Sequence, residues 1–357
     1  MAGERLDQAL SGRATHRRHV RVGVVGLGYW GPNLVRNLHD VDGAELAWVC
    51  DLSEDRLAPV ARRYPAVRRT TRYEELLADD GLDAVAIATP VSTHASLAER
   101  ALRAGKHVFV EKPLAASSEE AELLVRLAAE EDLVLMPGHT FLYSPPVNAI
   151  RELIESGELG EIYFITASRV NLGLHQSDVS VVWDLGPHDF SMLRYWLGES
   201  PVRVAAMSRG CVIPGSPDVA FVNLEFPAGT VAHVELSWLA PSKLRRTAIV
   251  GSEKMVVYDD TSSEPVRVFD SGVDLPNPES FGEFQLSYRT GDILSPRIDA
   301  AEPLLLEMTD FCAAVAGEKE PRVTAELGLE VVRVTEAVER SLKKRGAPQE
   351  LRLAVTS

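Results

Sequence analysis

Residues 22–31 read VGVVGLGYWG, an apolar, β-branched run that breaks into three glycines, Gly26, Gly28 and Gly31. The run has the length and composition of a buried parallel strand. Behind it, Pro32 with Leu34, Val35 and Leu38 supplies the opening and apolar spacing of an amphipathic helix. A strand that turns into a helix through glycines at this spacing lets a phosphate approach the main chain. The first glycine permits the turn, the second leaves room for a pyrophosphate, and the third lets helix and strand pack closely. The helix N-terminus then faces the anion. Taken alone, the motif fits a purely structural strand-to-helix turn equally well.

A second apolar segment, Leu46 to Cys50, ends at Asp51, 20 positions past Gly31. A carboxylate there accepts hydrogen bonds from the adenosine ribose hydroxyls and repels a 2′-phosphate, so the expected cofactor is NAD, with NADP disfavoured. The nearby Arg56 tempers that preference without reversing it, and a solvated strand-end Asp is the competing reading.

At 357 residues the chain has length for about two domains. Cys50, Cys211 and Cys312 have no CxxC or CxxH spacing, which argues against a disulfide framework and a structural zinc site and predicts no metal. A reducing cytoplasmic setting is expected. No apolar run approaches the roughly 20 residues that span a bilayer, so no membrane association is expected. The net charge of -15 excludes the basic face that nonspecific nucleic-acid binding requires. Arg13, His16, Arg17, Arg18 and His19 lie in a polar stretch, and residues 1–20 are predicted to be a flexible tail.

From Arg21 to about Pro137 apolar strands alternate with helical segments, the signature of a doubly wound parallel sheet, and residues 21–144 are assigned to that domain. Ser53–Tyr64 and Tyr73–Ala78 read as helices, Ala84–Ala88 as a buried strand, and His107–Val110 as the next. Gly105 stops the helix between those two strands. Ser117 and Glu120 form a capping box for a helix to about Glu131, and Leu133–Met136 closes the series. Residues 145–357 change texture. One helix runs to Ser156, then strands are predicted at Glu161–Val170, Val202–Arg209, Val219–Phe226, Thr230–Trp238, Leu244–Val250 and Met255–Tyr258, with a hairpin turn at Ala228 and Gly229. These are expected to form a large open antiparallel sheet. Residues 259–300 read as a long surface excursion, and two helices, about 301–316 and 324–343, end the chain.

Two polar tips follow the fourth and fifth strands, Thr89 to His94 and Glu111, Lys112, Pro113. Ligands sit at the carboxyl ends of such strands, so both tips should border the reacting end of the cofactor. Lys112 can stabilise developing alkoxide charge; the competing reading is a surface ion pair with Glu111. Asp184 and His188, in VVWDLGPHDF, fall four apart, on one helical face, where the carboxylate can orient an imidazole suited to take an alcohol proton. Gly186 and Pro187 fit a regular helix only if Asp184 lies at its start. An N-cap Asp and a packed core His are the alternative.

The segments GLGYWG, ATPVSTHA, AGKHVFVEKPLA, the GELG turn at 157–160 and WDLGPHD, together with Asp51, resemble the glucose-fructose oxidoreductase, inositol dehydrogenase and rhizopine-catabolism family over nearly the whole chain. The resemblance implies an α/β architecture: an N-terminal Rossmann domain and a C-terminal α+β domain whose open sheet carries the substrate pocket on one face and subunit contacts on the other. It assigns catalysis to Lys112, followed by a proline that is often cis, and to Asp184 and His188. Gly26, Gly28, Tyr29, Trp30, Gly31, Asp51, Thr89, His94, Glu111 and Lys112 would line the cofactor. Substrate contacts are placed at Arg169, Asn171, Tyr143 and Trp183, with the 139–143 segment at the domain junction; the alternatives are a surface partner for Arg169 and a core role for Phe141. Thr140 and Phe141 depart from the arginine or asparagine common there in the family.

The reading that results is an NAD-dependent sugar dehydrogenase acting at a secondary alcohol, most specifically C3 of a nucleotide-linked sugar, in a homodimer or homotetramer. Its rivals are inositol or free-monosaccharide oxidation, glycoside hydrolysis with recycled NAD, and nonenzymatic dinucleotide sensing.

Overall fold

The computed structural model describes residues 19–173, 179–212, 214–274 and 287–351. The expected N-terminal tail lies outside these residues except at its boundary. Within them the first half alternates as the sequence predicts: β1 (Val20–Val25), α1 (Gly31–Asp40), β2 (Ala44–Cys50), α2 (Glu54–Arg63), β3 (Arg68–Thr70), α3 (Tyr73–Leu77), β4 (Ala84–Ile87), α4 (His94–Arg103), β5 (His107–Glu111), α5 (Ser118–Glu130) and β6 (Leu135–Gly138). All six strands are parallel and ordered β3-β2-β1-β4-β5-β6. The chain reverses its winding between β1 and β4, which opens a crevice at their carboxyl ends. β4 is buried at every position because helices cover both faces. β3 escaped prediction: its RRT sequence has no apolar run, and it forms only an edge.

The glycine turn is sterically compulsory. Gly26 has φ +89°, and a Cβ there would lie 2.5 Å from the Ala88 carbonyl oxygen, while a Cβ on Gly31 would lie 1.9 Å from the Gly26 oxygen. Gly28 is different: a Cβ there meets nothing within 4 Å, so the space beside it is open.

The second half runs α6 (Pro145–Glu155), β7 (Ile162–Leu172), α7 (Val181–Leu197), β8 (Arg203–Arg209), β9 (Val219–Glu225), β10 (Val231–Ser237), β11 (Leu239–Gly251), β12 (Met255–Asp259), β13 (Val266–Asp274), β14 (Ser287–Leu294), α8 (Pro303–Val315), α9 (Ala325–Lys343) and β15 (Gln349–Glu350). The nine strands from β7 onward form one sheet, β14-β13-β12-β11-β7-β10-β9-β8-β15. The antiparallel expectation needs one correction. β10 runs parallel to β7, because the chain leaves β7 through α7 and returns by the β8, β9, β10 meander. The sheet is mixed, mostly antiparallel. A second correction concerns 259–300: β13 and β14 extend the sheet there instead of wandering over the surface. β14 is an edge strand without a buried face, so its sequence lacks the alternation by which strands are read.

Strand β9 alternates between buried and exposed positions. Ile165, Ala220, Val222, Ala232 and Val234 point inward under α7 and α9, and Phe164, Met207, Phe221 and Val231 are exposed. α8 packs on α1, while α9 contacts α5 as well as α7 and β8, so the last two helices join both sheets. Phe109 of β5 meets Phe311 of α8 with ring centroids 5.8 Å apart. Ser118 donates to Glu336 through its N–H and its hydroxyl, at 2.8 and 2.6 Å.

Gly31→Ala drives a methyl into the Gly26 carbonyl. The expected cost is about 1–3 kcal/mol or more, read as a lower melting temperature together with weakened dinucleotide binding. Gly28→Ala should leave the melting temperature unchanged and weaken only the binding.

Candidate active site

Three segments meet at the crevice: the tip after β5, the first turns of α7, and residues 139–143 between β6 and α6. Lys112 precedes a cis peptide bond to Pro113. Its side chain is only 12% exposed, which removes the surface-ion-pair reading. The ammonium donates to the Asp184 main-chain oxygen at 2.9 Å and lies 3.4 Å from Asp184 Oδ1. Asp184 Oδ2 accepts the Trp238 indole N–H at 3.0 Å. The acid is therefore held by Lys112 and Trp238. His188 is not among its hydrogen-bond partners, in contrast to the orienting role that the i, i+4 spacing suggested. Trp238, at the end of β10, was invisible as a site residue in the sequence, because only the sheet brings it there.

Helix α7 runs unbroken through Gly186 and Pro187. Asp184 sits in its first turn, with its N–H bonded to the Ser180 oxygen at 3.0 Å. Pro187 comes early enough that only the Trp183 carbonyl loses a helical donor. His188 follows one turn later, half-buried, with its ring edge-on to Phe141 at 5.1 Å between centroids. Burial, followed by the positive charges of Lys112 and Arg169, holds the imidazole well below its ordinary pKa. It is neutral at neutral pH and has a lone pair to accept a proton.

On the cofactor side, helix α1 has no side-chain cap at its N-terminus; Pro32 has no N–H and Asn33 N–H donates to the Trp30 oxygen at 2.9 Å, so among the described residues the Gly31 N–H is the one in this turn left to meet an anion. Buried Asp51 accepts Leu27 N–H at 2.7 Å through Oδ2 and Ser53 N–H at 2.9 Å through Oδ1, which fastens β2 to the glycine turn. Arg56 stands 3.6 Å from Asp51 and is largely exposed. With the open space at Gly28, these features fit a bound dinucleotide. Tyr29 and Trp30 are exposed at the mouth of the turn. The Thr89 hydroxyl accepts from Thr93 at 2.8 Å. His94 is buried as a clamp: its ring nitrogens face the Pro113 and Thr89 carbonyls at 2.8 and 2.9 Å, which pins the two strand tips together. Glu111 is buried, and burial pushes its carboxyl up to about 7 against the pull of Lys112.

The four residues assigned to substrate separate. Tyr143 belongs to the core: it is 2% exposed and donates its hydroxyl to Asp310 at 2.6 Å, so it has no face left for a ligand. Trp183 is half-buried against the Rossmann-side core. Asn171 lies on β7 itself, partly buried. Arg169 is buried, and its partner is the equally buried Asp189, with Nε donating at 2.5 Å and Nη2 at 3.3 Å. The guanidinium also lies 4.5 Å from the centre of the Phe141 ring. Asp189 and Arg245, the latter 5.8 Å from the same ring, were not singled out in the sequence. Among the described residues no group of three or more His, Cys, Asp or Glu is placed to hold a metal, and no helix is long and apolar enough to cross a membrane.

Comparison with known proteins places this geometry. Residues 20–139 match the model of an oxidoreductase family with an NAD-binding Rossmann fold, and residues 147–257 match the GFO/IDH/MocA C-terminal domain. UDP-N-acetylglucosamine 3-dehydrogenase of Acidithiobacillus ferrooxidans is 29% identical over 309 residues, covering 84% of this chain and 94% of its own. The NAD(+)-dependent scyllo-inositol 2-dehydrogenase of Bacillus subtilis is 28% identical, covering 87% and 92%. The crystal structure of GenD2 from gentamicin A biosynthesis, in complex with NAD, superposes with a TM-score of 0.80 at 26% identity, covering 96% and 99%.

Glu111 gives a pH test. Its folded pKa, about 7, lies above the ordinary 4.5. Between those values the folded protein keeps a proton that the unfolded chain has released, so the contribution to stability falls as pH rises through the window and is flat on either side. Urea unfolding of wild type and Glu111→Gln should therefore show wild type losing ground to the variant across that window. A difference that stays constant with pH refutes the buried, protonated Glu111.

Proposed function

The chain belongs to the GFO/IDH/MocA family of NAD-binding oxidoreductases, and from that premise we propose that it moves hydride between NAD and a secondary alcohol of a sugar, at C3 of a nucleotide-linked sugar. The observation that carries this reading is the meeting of Lys112, from the tip of a Rossmann strand, with the helix that bears a neutral His188.

When bound, the nicotinamide ring supplies the hydride acceptor; every other part is played by side chains. Lys112 donates to the reacting oxygen and stabilises alkoxide character as the carbon gives up hydride. His188 takes the hydroxyl proton. Asp184 acts through Lys112: by accepting from the ammonium and from Trp238, it fixes where the charge sits. A purely sensory role has no use for this set. NAD, as opposed to NADP, is supported by the buried Asp51 carboxylate at the end of β2.

The assignment to a nucleotide-linked sugar is supported by the relative named for UDP-N-acetylglucosamine. Inositol oxidation is the second reading, favoured by the comparably similar scyllo-inositol enzyme. The exposed apolar residues Phe164, Met207, Phe221 and Val231 support assembly into a dimer or tetramer through the outer sheet face.

A screen of nucleotide sugars against free polyols, following NADH formation, decides between the two substrates. Lys112→Ala and His188→Ala should each lower kcat by roughly 10²–10⁴ while retaining NAD affinity. Full turnover by both variants would rule out the assigned chemistry.

A further inference from the structure

β7 and β11 are antiparallel neighbours, and their register sets Arg169 directly opposite Arg245. Paired residues of adjacent strands share a face. Ile165, Ala167 and Arg169 on β7 stand opposite Ile249, Thr247 and Arg245 on β11, and the buried members of this row mark the inner face, beneath α7. Two guanidinium groups thus stand side by side on that face, with Cβ atoms roughly 5 Å apart, a placement that repels. The repulsion is only partly answered. Arg169 is engaged by Asp189 through Nε and Nη2, and Arg245 donates from Nη1 to Asp260 at 3.1 Å. Arg169 Nη1 and Arg245 Nε are buried, with no acceptor among the described residues. Phe141 lies against both guanidiniums and against the His188 ring. Stacking on an aromatic face leaves the in-plane N–H groups of a guanidinium unanswered. A buried charged donor without an acceptor is costly, and it is tolerated where a ligand completes it.

We propose that the sugar substrate carries a carboxylate, and that Arg169 and Arg245 together bind it beside His188. The proposal rests on the reading of this site as a sugar dehydrogenase. A carboxylate has two oxygens in one plane, one for each unanswered donor, and guanidinium groups match that geometry. Phe141, between the arginine pair and His188, keeps the anion within a sugar ring of the reacting hydroxyl. Lys112, Arg169 and Arg245 all hold down the proton affinity of His188. Burial is the larger cause of that depression; a bound anion offsets only the field of the cations, and so raises the proton affinity of the imidazole in part.

Four ligands test this: a nucleoside-diphosphate sugar with a C6 carboxylate, its C6-hydroxymethyl counterpart, and the two corresponding free sugars. Binding to the NADH complex is measured by calorimetry, and turnover is measured separately with NAD. Each acid should bind about 10–100-fold tighter than its neutral partner, the equivalent of one charge-assisted contact pair. In Arg245→Gln that ratio should fall to within about threefold of one. Arg246→Gln, on the opposite face of β11, should keep the wild-type ratio. Arg169→Lys, which retains a cation for Asp189, should lower the ratio as well. If only the nucleoside diphosphate matters and the carboxylate does not, the arginines take phosphate and the proposal is overturned. Equal affinities for acid and neutral sugars overturn it too, and oxidation of the neutral sugars in that case leaves the dehydrogenase reading intact. Tight binding of the acids without any NAD reduction would sink the dehydrogenase reading and leave the anion site standing.

Discussion

The contact on which the rest of the site depends is the one between Lys112 and Asp184. It joins the tip of a parallel strand to the first turn of a helix from the other sheet, and Trp238 draws a third element into the same carboxylate. An ion pair this sheltered is a doubtful source of stability, since removing two charges from water costs much of what their attraction returns. Its value lies in position. Lysine has a flexible four-carbon stem, and a carboxylate with one oxygen turned toward the ammonium and the other tied to an indole restricts where that ammonium rests. Preorganised charge lowers a barrier without a reorganisation cost at the moment of reaction.

The cofactor half of the site was legible because its constraints are local. Gly26 and Gly31 are set by contacts within a few residues or with the adjacent strand tip, Gly28 leaves open space between them, and Asp51 follows at a fixed interval through one helix. That Lys112 and the helix bearing His188 belong to one candidate site was also expected, from motif and resemblance, and the two do come together. Arg169 was singled out too, but its surroundings were not, because they are made by register between strands distant in sequence and by α7. Arg245 has meaning only opposite Arg169, and Trp238 only where β10 ends under α7. Tyr143 shows the opposite error. It sits in a segment that borders the site, yet its hydroxyl turns to Asp310 in α8, a partner that no short-range pattern reveals.

The same distinction explains the fold-level differences. Strands covered on both faces, such as β4, announce themselves as apolar runs. β3 and β14 are edges; they have fewer neighbours to satisfy, so their sequences carry little that marks them as strands. The parallel pairing of β7 with β10 depends on the path taken by α7 and the following meander, which is a property of the connection and not of either strand.

The return of α8 and α9 across both sheets has a consequence for how the chain comes into being. Phe311 meets Phe109, and Ala325, Leu329 and Val332 fill the same apolar cluster as Val108, Val110 and Leu124. A Rossmann sheet emerging from the ribosome lacks these side chains until the strands β7 to β14 have been made. Its crevice therefore matures late, in step with the helices that close it. Loop-closure entropy for contacts at such separation makes this a slow step, and until then the half-built sheet presents apolar surface that a chaperone would recognise.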